Sequence, residues 1–166
     1  MSTTPDVTLR EATVDDVPVI LRCIRGLAEY ERLSHECIAS EELLRESLFG
    51  ESPAAHVVLA LAGGEAAGFA LWFRNYSTFL ARPGIYLEDL FVVPAFRGRG
   101  VGRRLLQHLA KVATSRGYGR LEWAVLDWNA DAIRFYESLG AVPMSDWTTY
   151  RVTGSALAAL GGGQAQ

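Results

Sequence analysis

Ile85-Tyr-Leu-Glu-Asp-Leu-Phe-Val-Val-Pro-Ala-Phe-Arg-Gly-Arg-Gly-Val-Gly-Arg-Arg104 is the stretch on which the reading of the chain turns. From Ile85 to Val93 its residues are β-branched, aromatic and aliphatic around two carboxylates, Glu88 and Asp89, the composition of a mostly buried strand. Pro94 ends it. Gly98, Gly100 and Gly102 follow, with Arg97, Arg99, Arg103 and Arg104 between and after them. Val101, Leu105, Leu109 and Val112 then recur at helical spacing. A strand therefore runs into a basic, glycine-rich turn that opens a helix. A helix N-terminus presents unpaired N–H groups and the positive end of the dipole. Glycine lets a phosphate approach the backbone, and arginine adds charge and paired donors. The turn reads as an anion cradle for a pyrophosphate.

Outward from this stretch, composition sets bounds. The 166 residues are 49% hydrophobic, enough for one globular domain with a proper core. Residues 1–154 read as that domain and 155–166 as a tail, partly disordered, because Gly161-Gly-Gly-Gln-Ala-Gln166 closes the chain. No apolar run reaches a membrane span, and Met1-Ser-Thr-Thr-Pro-Asp6 carries no basic-then-apolar signal. Cys23 and Cys37 lack metal-ligand spacing, which fits idle thiols in a reducing cytoplasm. His35, His56 and His108 form no ligand set. The formal net charge is −3, yet Pro94–Arg120 holds seven Lys/Arg and no Asp/Glu, which leaves nine basic and nineteen acidic residues elsewhere. One face should draw an anion and another part a cation. So short a basic segment in a net acidic domain argues against nucleic acid.

Taken in order, Val7–Ala12 reads as a strand and Thr13-Val-Asp-Asp16 as a helix start. Val17, Ile20, Leu21, Ile24, Leu27 and Ala28 mark one face of a helix closing near Tyr30-Glu31-Arg32. Ser40 caps a short helix with Leu43, Leu44 and Leu48 inward. His56–Leu61 and Ala66–Asn75 read as a hairpin around Gly63-Gly64, followed by a loop over Tyr76–Gly84. After the long helix come a strand over Leu121–Leu126, a helix over Ala130–Leu139, and a last hairpin from Ala141–Met144 and Thr148–Val152.

The cradle lacks the Gly-Lys-Ser/Thr of a Walker loop. It also lacks the tight Gly-x-Gly-x-x-Gly of a dinucleotide fold, because Pro94–Arg97 intervene and Leu105 stands at the third glycine position counted from Gly100. The pattern present is Arg/Gln-x-x-Gly-x-Gly/Ala, filled by Arg97, Gly100 and Gly102. It resembles the coenzyme A loop of the GNAT superfamily of N-acetyltransferases. Asn129-x-x-Ala132-x-x-Phe135-Tyr136-x-x-x-Gly140 resembles the helix that follows the fifth GNAT strand. Leu27-Ala-Glu-Tyr-Glu31, Tyr76-Ser-Thr-Phe79, Tyr86-Leu-Glu-Asp89 and Val125-Leu-Asp-Trp-Asn129 narrow the likeness to the diamine (spermidine/spermine, thialysine) acetyltransferase family. Ser77 and Asp127, where polyamine-preferring members carry aspartate and glutamate, place the chain on the thialysine-like side.

This resemblance implies an α/β (α+β) GNAT fold: a mixed, mostly antiparallel sheet with splayed central strands and about four helices. It implies acetyl-CoA as donor, direct transfer to a small primary amine, and a homodimer. Such transfer needs a neutral amine, donors for the oxyanion, and a proton for the leaving thiolate. By resemblance Glu88 is the general base, through a water, and Tyr136 protonates the thiolate. Strand alternation puts one of Glu88 and Asp89 toward the acceptor, so the base stays open between Glu88, Asp89 and a water chain. Leu90, Phe91 and Val93 offer backbone groups to the pantetheine. Arg97, Gly98, Arg99, Gly100, Gly102 and Arg103 hold the pyrophosphate. Asn129 is a helix cap by type and a cofactor contact by resemblance. Tyr30, Glu31 and Phe79, with Glu88 and Asp89, line the amine site. The rival readings are a protein or peptide N-acetyltransferase and a non-catalytic acyl-CoA-binding module.

Overall fold

The structure, a computed structural model of the chain, describes residues 6–163. The expected absence of a signal segment concerns residues 1–6, of which 1–5, like the final part of the expected tail (164–166), lie outside the described range. Five strands form one open sheet in sequence order: β1 (Val7–Glu11), β2 (His56–Ala62), β3 (Glu65–Ser77), β4 (Arg82–Val92) and β5 (Leu121–Trp123). Neighbours pair antiparallel except β4 and β5, which are parallel. The helices are α1 (Val17–Tyr30), α2 (Glu41–Phe49), α3 (Val101–Ser115), α4 (Ala130–Glu137) and α5 (Gly154–Leu160). This is the expected mixed, mostly antiparallel α/β fold, with one helix more. The chain divides after Leu126 into two compact units, the sheet and α1–α3 in the first, α4 and α5 in the second.

In the first unit the period-2 alternation of the strands sorts residues to two faces. Val57, Leu59, Phe69 and Phe91 turn to one face and bury against Val17, Ile20, Leu21 and Cys23 of α1 and Leu44 and Leu48 of α2. Leu43, expected inward, is instead half exposed, because the short α2 has room for one buried stripe. The alternate residues, among them Val58, Ala60, Ala70 and Trp72, turn to the other face, where Val101, Leu105 and Leu109 of α3 are buried.

The entry to α1 is pinned by Asp16. Its carboxylate accepts from Arg10 Nη1 at 2.7 Å and Nη2 at 2.8 Å, and from the Thr13 backbone N–H at 2.7 Å. These bonds, the Arg10 pair first, hold its pKa down at about 2. A depressed carboxylate contributes stability above its unfolded pKa and loses it as pH falls toward the folded value. Asp16→Asn should therefore cost about 2 kcal/mol at pH 7 in a urea titration, allowing for the half-exposed Arg10, and the gap to wild type should close between about pH 4 and pH 2.

Three expectations need correcting. The loop over Tyr76–Gly84 contracts to Thr78–Ala81, because Asn75, Tyr76 and Ser77 pair with Gly84, Pro83 and Arg82 and carry the hairpin outward. The strand over Leu121–Leu126 stops at Trp123, where its ladder with β4 ends. No strand forms over 141–152 among the described residues; a two-stranded hairpin is marginal by itself. Within the expected tail, the Ala/Leu run of residues 154–160 forms α5, in keeping with its helix propensity.

Candidate active site

The site is built where β4 outruns β5. Their ladder consists of Ile85↔Leu121, Tyr86↔Glu122 and Leu87↔Trp123, and ends there. β4 continues to Val92, paired on its β3 side alone. From Glu88 onward its other edge has no strand partner among the described residues, a row of backbone groups open to a linear ligand. This is the fork that splayed strands call for. Phe91 spends its ring in the core beneath α1, so it and Leu90 have backbone to offer at this edge. Val93 has less. Its N–H donates to Ala67 at 2.9 Å and its carbonyl accepts from Phe96 at 2.8 Å.

At the fork sits a β-bulge. Leu71 pairs with Asp89 while the next residue, Trp72, pairs with Leu87, so Glu88 is the extra residue. Simple alternation fails at this point. Asp89 stays on the α1 face with Leu71 and Phe91. The exposed Glu88 is close enough for its charge to be felt at Asp89, as is that of Glu31, which caps the C-terminus of α1. Burial, then Glu88, then Glu31 push the Asp89 carboxyl up to about 6. Burial also raises Glu31. The fork thus gathers three carboxylates, a site for a cation.

Past Pro94 the chain makes a single 3-10 turn and enters the glycine stretch. Gly98 and Gly100 have φ of 72° and 76°, conformations costly for any other residue but asparagine or aspartate. A Cβ on either would meet no atom within 4 Å, so space lies open in front of both. Gly100 is the N-cap of α3, no side chain caps the helix, and its first turn, which includes Gly102, holds no acidic residue. The first N–H groups of α3 are therefore free to meet an anion. Arg99 lies over the Phe96 ring at 5.6 Å, and Arg103 is exposed on the first turn. Arg104 instead pairs with Asp6 at 3.2 Å.

Arg97 faces back. Its Nε donates to the Val92 carbonyl at 2.9 Å, and its guanidinium lies 4.9 Å from the Tyr30 ring and 5.6 Å from Phe91. It ties the end of α1 to the start of the cradle, a link across about 67 residues that spacing alone does not disclose. Tyr30 and Glu31 therefore reach the fork. Phe79 does not: it is 97% exposed at the tip of the β3–β4 hairpin, about 20 Å along the strand from Glu88. Ser77 is buried there, its hydroxyl accepting from the Leu80 N–H at 3.3 Å.

In the second unit, Asn129 caps α4, its Oδ1 accepting from the Ala132 N–H at 3.3 Å. Tyr136 stands in the last turns of α4 beside Phe135, ring centroids 5.5 Å apart. Gly140, at φ 86°, follows the helix end as expected.

Known proteins bear directly on this arrangement. The model of the acetyltransferase (GNAT) family matches residues 24–141. The chain is 42% identical over 167 residues to a thialysine N-epsilon-acetyltransferase of Bos taurus, covering 94% of this chain and 98% of the relative. It is 34% identical over 197 residues to the L-ornithine N5-acetyltransferase NATA1 of Arabidopsis thaliana, covering 92% and 86%. Among solved structures, an integron cassette protein from the mobile metagenome of V. cholerae superposes with a TM-score of 0.77 at 27% identity, covering 93% of this chain and 97% of that one. With the forked strands, the uncapped glycine turn and these relatives, the chain belongs to the GNAT family of acetyltransferases and is an N-acetyltransferase.

Proposed function

We propose that the protein transfers the acetyl group of acetyl-CoA directly to the side-chain amine of a thialysine-like amino acid, or to a short diamine, within a ternary complex. The observation that carries this is the fork: β4 runs past β5, places Glu88 and Asp89 at the branch, and ends in the glycine turn that opens α3. An extended pantetheine arm fits the free edge at Leu90 and Phe91. Its pyrophosphate fits the N–H groups after Gly100, with Gly98 and Gly102 giving room and Arg99 and Arg103 giving charge, while Arg97, turned back to the Val92 carbonyl and the Tyr30 ring, braces the turn. A primary ammonium fits among Glu31, Glu88 and Asp89, with Tyr30 beside them.

Glu88, exposed at the bulge, takes the ammonium proton through a water, and Asp89 and Glu31 hold the cation. The freed nitrogen attacks the acetyl carbonyl, the C–S bond breaks, Tyr136 gives its proton to the departing thiolate, and the second proton of the nitrogen leaves to solvent, from which Tyr136 is reprotonated. Tyr136 and Asn129 enter this account from the family pattern. The bovine and plant relatives, named for thialysine and ornithine, favour an acceptor that is itself an amino acid.

We further read the protein as a cytoplasmic homodimer. Cys23 and Cys37 are free thiols, as a reducing compartment allows. Trp147 and Tyr150 are 75% and 92% exposed on a segment of strand-like sequence, a surface suited to pairing with a second copy. No helix among the described residues is long and apolar enough to cross a membrane.

The test is free-thiol release from acetyl-CoA against thialysine, lysine, ornithine, putrescine, spermidine and a lysine peptide. The reading expects kcat/KM highest for thialysine or ornithine. A preference for the peptide would replace it with a protein acetyltransferase.

A further inference from the structure

At the far end of α3 from the cradle, on the α3 face of the sheet, lies a hollow of about 340 Å³ lined by Pro53, His56, Trp72, Arg74, Arg116 and Tyr118 among others. Arg116 caps the C-terminus of α3. The helix spans about 22 Å, so this hollow is not part of the coenzyme A cradle. It is also on the opposite face of the sheet from Asp89.

Its chemistry is one-sided. The Tyr118 hydroxyl is held below the usual phenol pKa, chiefly by the hydrogen bond from Arg116, with Arg74 adding. Arg74, Arg116 and Tyr118 line the hollow together, so two guanidiniums stand beside one phenol. Neither has a carboxylate partner among the described residues. Arg116 lies 5.7 Å from the Trp72 ring, and His56 stacks on that ring at 4.5 Å. Trp72 is 2% exposed, and its indole Nε1–H has no hydrogen-bond partner. A buried donor left unpaired is costly and calls for an acceptor. The side chains lining the hollow include two guanidiniums, an imidazole, an indole and a phenol, and no carboxylate. Two fixed charges without counter-ions match a dianion, and the volume suits a small molecule.

We propose that this hollow is a second anion site, which binds the phosphate group of a small phosphomonoester through Arg74 and Arg116, over Trp72. The site is separate from the acyl-transfer reading and stands or falls without it.

The experiment keeps the protein saturated with coenzyme A, so that the cradle is filled. Inorganic phosphate and glycerol phosphate are titrated at constant ionic strength, with chloride and succinate as comparison anions. The Trp72 indole resonance is followed in labelled protein, assigned by Trp72→Phe or by elimination of the other three tryptophans. The expected result is a saturable shift of that resonance with phosphate and the phosphomonoester, with affinity about tenfold weaker in each of Arg74→Gln and Arg116→Gln. Both arginines are exposed, so these variants keep the fold. A shift that chloride reproduces, or one that both variants leave unchanged, would overturn the site. Succinate binding as tightly as phosphate would overturn the phosphate assignment.

Discussion

Replacing Asp89 by asparagine is expected to make the protein more stable and less active at once. The Asp89 carboxyl is raised from 3.8 to about 6 by burial first, then by Glu88 and Glu31. A group with a raised folded pKa contributes stability that is fully present below its unfolded value and is lost as pH rises through the folded value. At neutral pH the folded protein therefore carries an ionised carboxylate at a cost of about 2 kcal/mol. Asparagine removes that cost, so Asp89→Asn should raise stability by roughly this amount at pH 7 and by little at pH 4. In the proposed site the same change removes a charge that faces the acceptor ammonium. The amine KM should rise, and kcat/KM should fall about tenfold to a hundredfold. Glu88→Gln supplies the contrast. Glu88 is exposed, so stability should hardly move, while loss of the proposed general base should lower kcat by about a hundredfold or more. If instead Asp89→Asn lowers kcat with KM unchanged and Glu88→Gln does nothing, Asp89 is the base. Urea titrations at two pH values and steady-state kinetics on both variants separate these outcomes.

Gly100→Ala is expected to impair coenzyme A binding far more than folding. At φ 76° an alanine costs about 1–2 kcal/mol of backbone strain. No protein atom lies within 4 Å of the added methyl, so the fold has nothing to clash with. The methyl would occupy the space in front of the α3 N-terminus, where a pyrophosphate must close on the N–H groups of the first turn. The coenzyme A Kd measured by calorimetry should rise at least about tenfold, and added salt should weaken what binding remains. Thermal stability should drop modestly. Unchanged coenzyme A affinity in a folded Gly100→Ala protein would remove the cradle from the account.

What was legible in the chain was what is local. The strand expected over Ile85–Val93, the break at Pro94, the glycine turn and the amphipathic run from Val101 each follow from neighbours in sequence; the last three are found in place, and the strand runs over Arg82–Val92, starting three residues earlier. The hairpin at Gly63-Gly64, both with positive φ, was equally local. What pairing decides was not legible. The bulge at Glu88 depends on the register between β3 and β4, and no alternation rule foresees it. The stop of β5 at Trp123 depends on how long β4 keeps it company. The hairpin expected over 141–152 has strand-like residues, yet none of them is in a strand among the described residues. Arg97 was read as a pyrophosphate ligand from its place in the motif. Its packing against Tyr30 is a long-range contact that only the fold could supply. The glycines at 161–163 mark a tail by composition, yet the alanines and leucines just before them form α5.

The most direct test of the account is a single turnover with enzyme in excess over isotopically labelled acetyl-CoA, in the presence and absence of thialysine. The account predicts that without amine the label stays on coenzyme A, and that with amine it appears on the thialysine side-chain nitrogen with one free thiol per transfer and none on the protein. Label bound covalently to the protein would contradict direct transfer. Label that stays on coenzyme A with every small amine, while coenzyme A still binds, would contradict the proposed reaction itself.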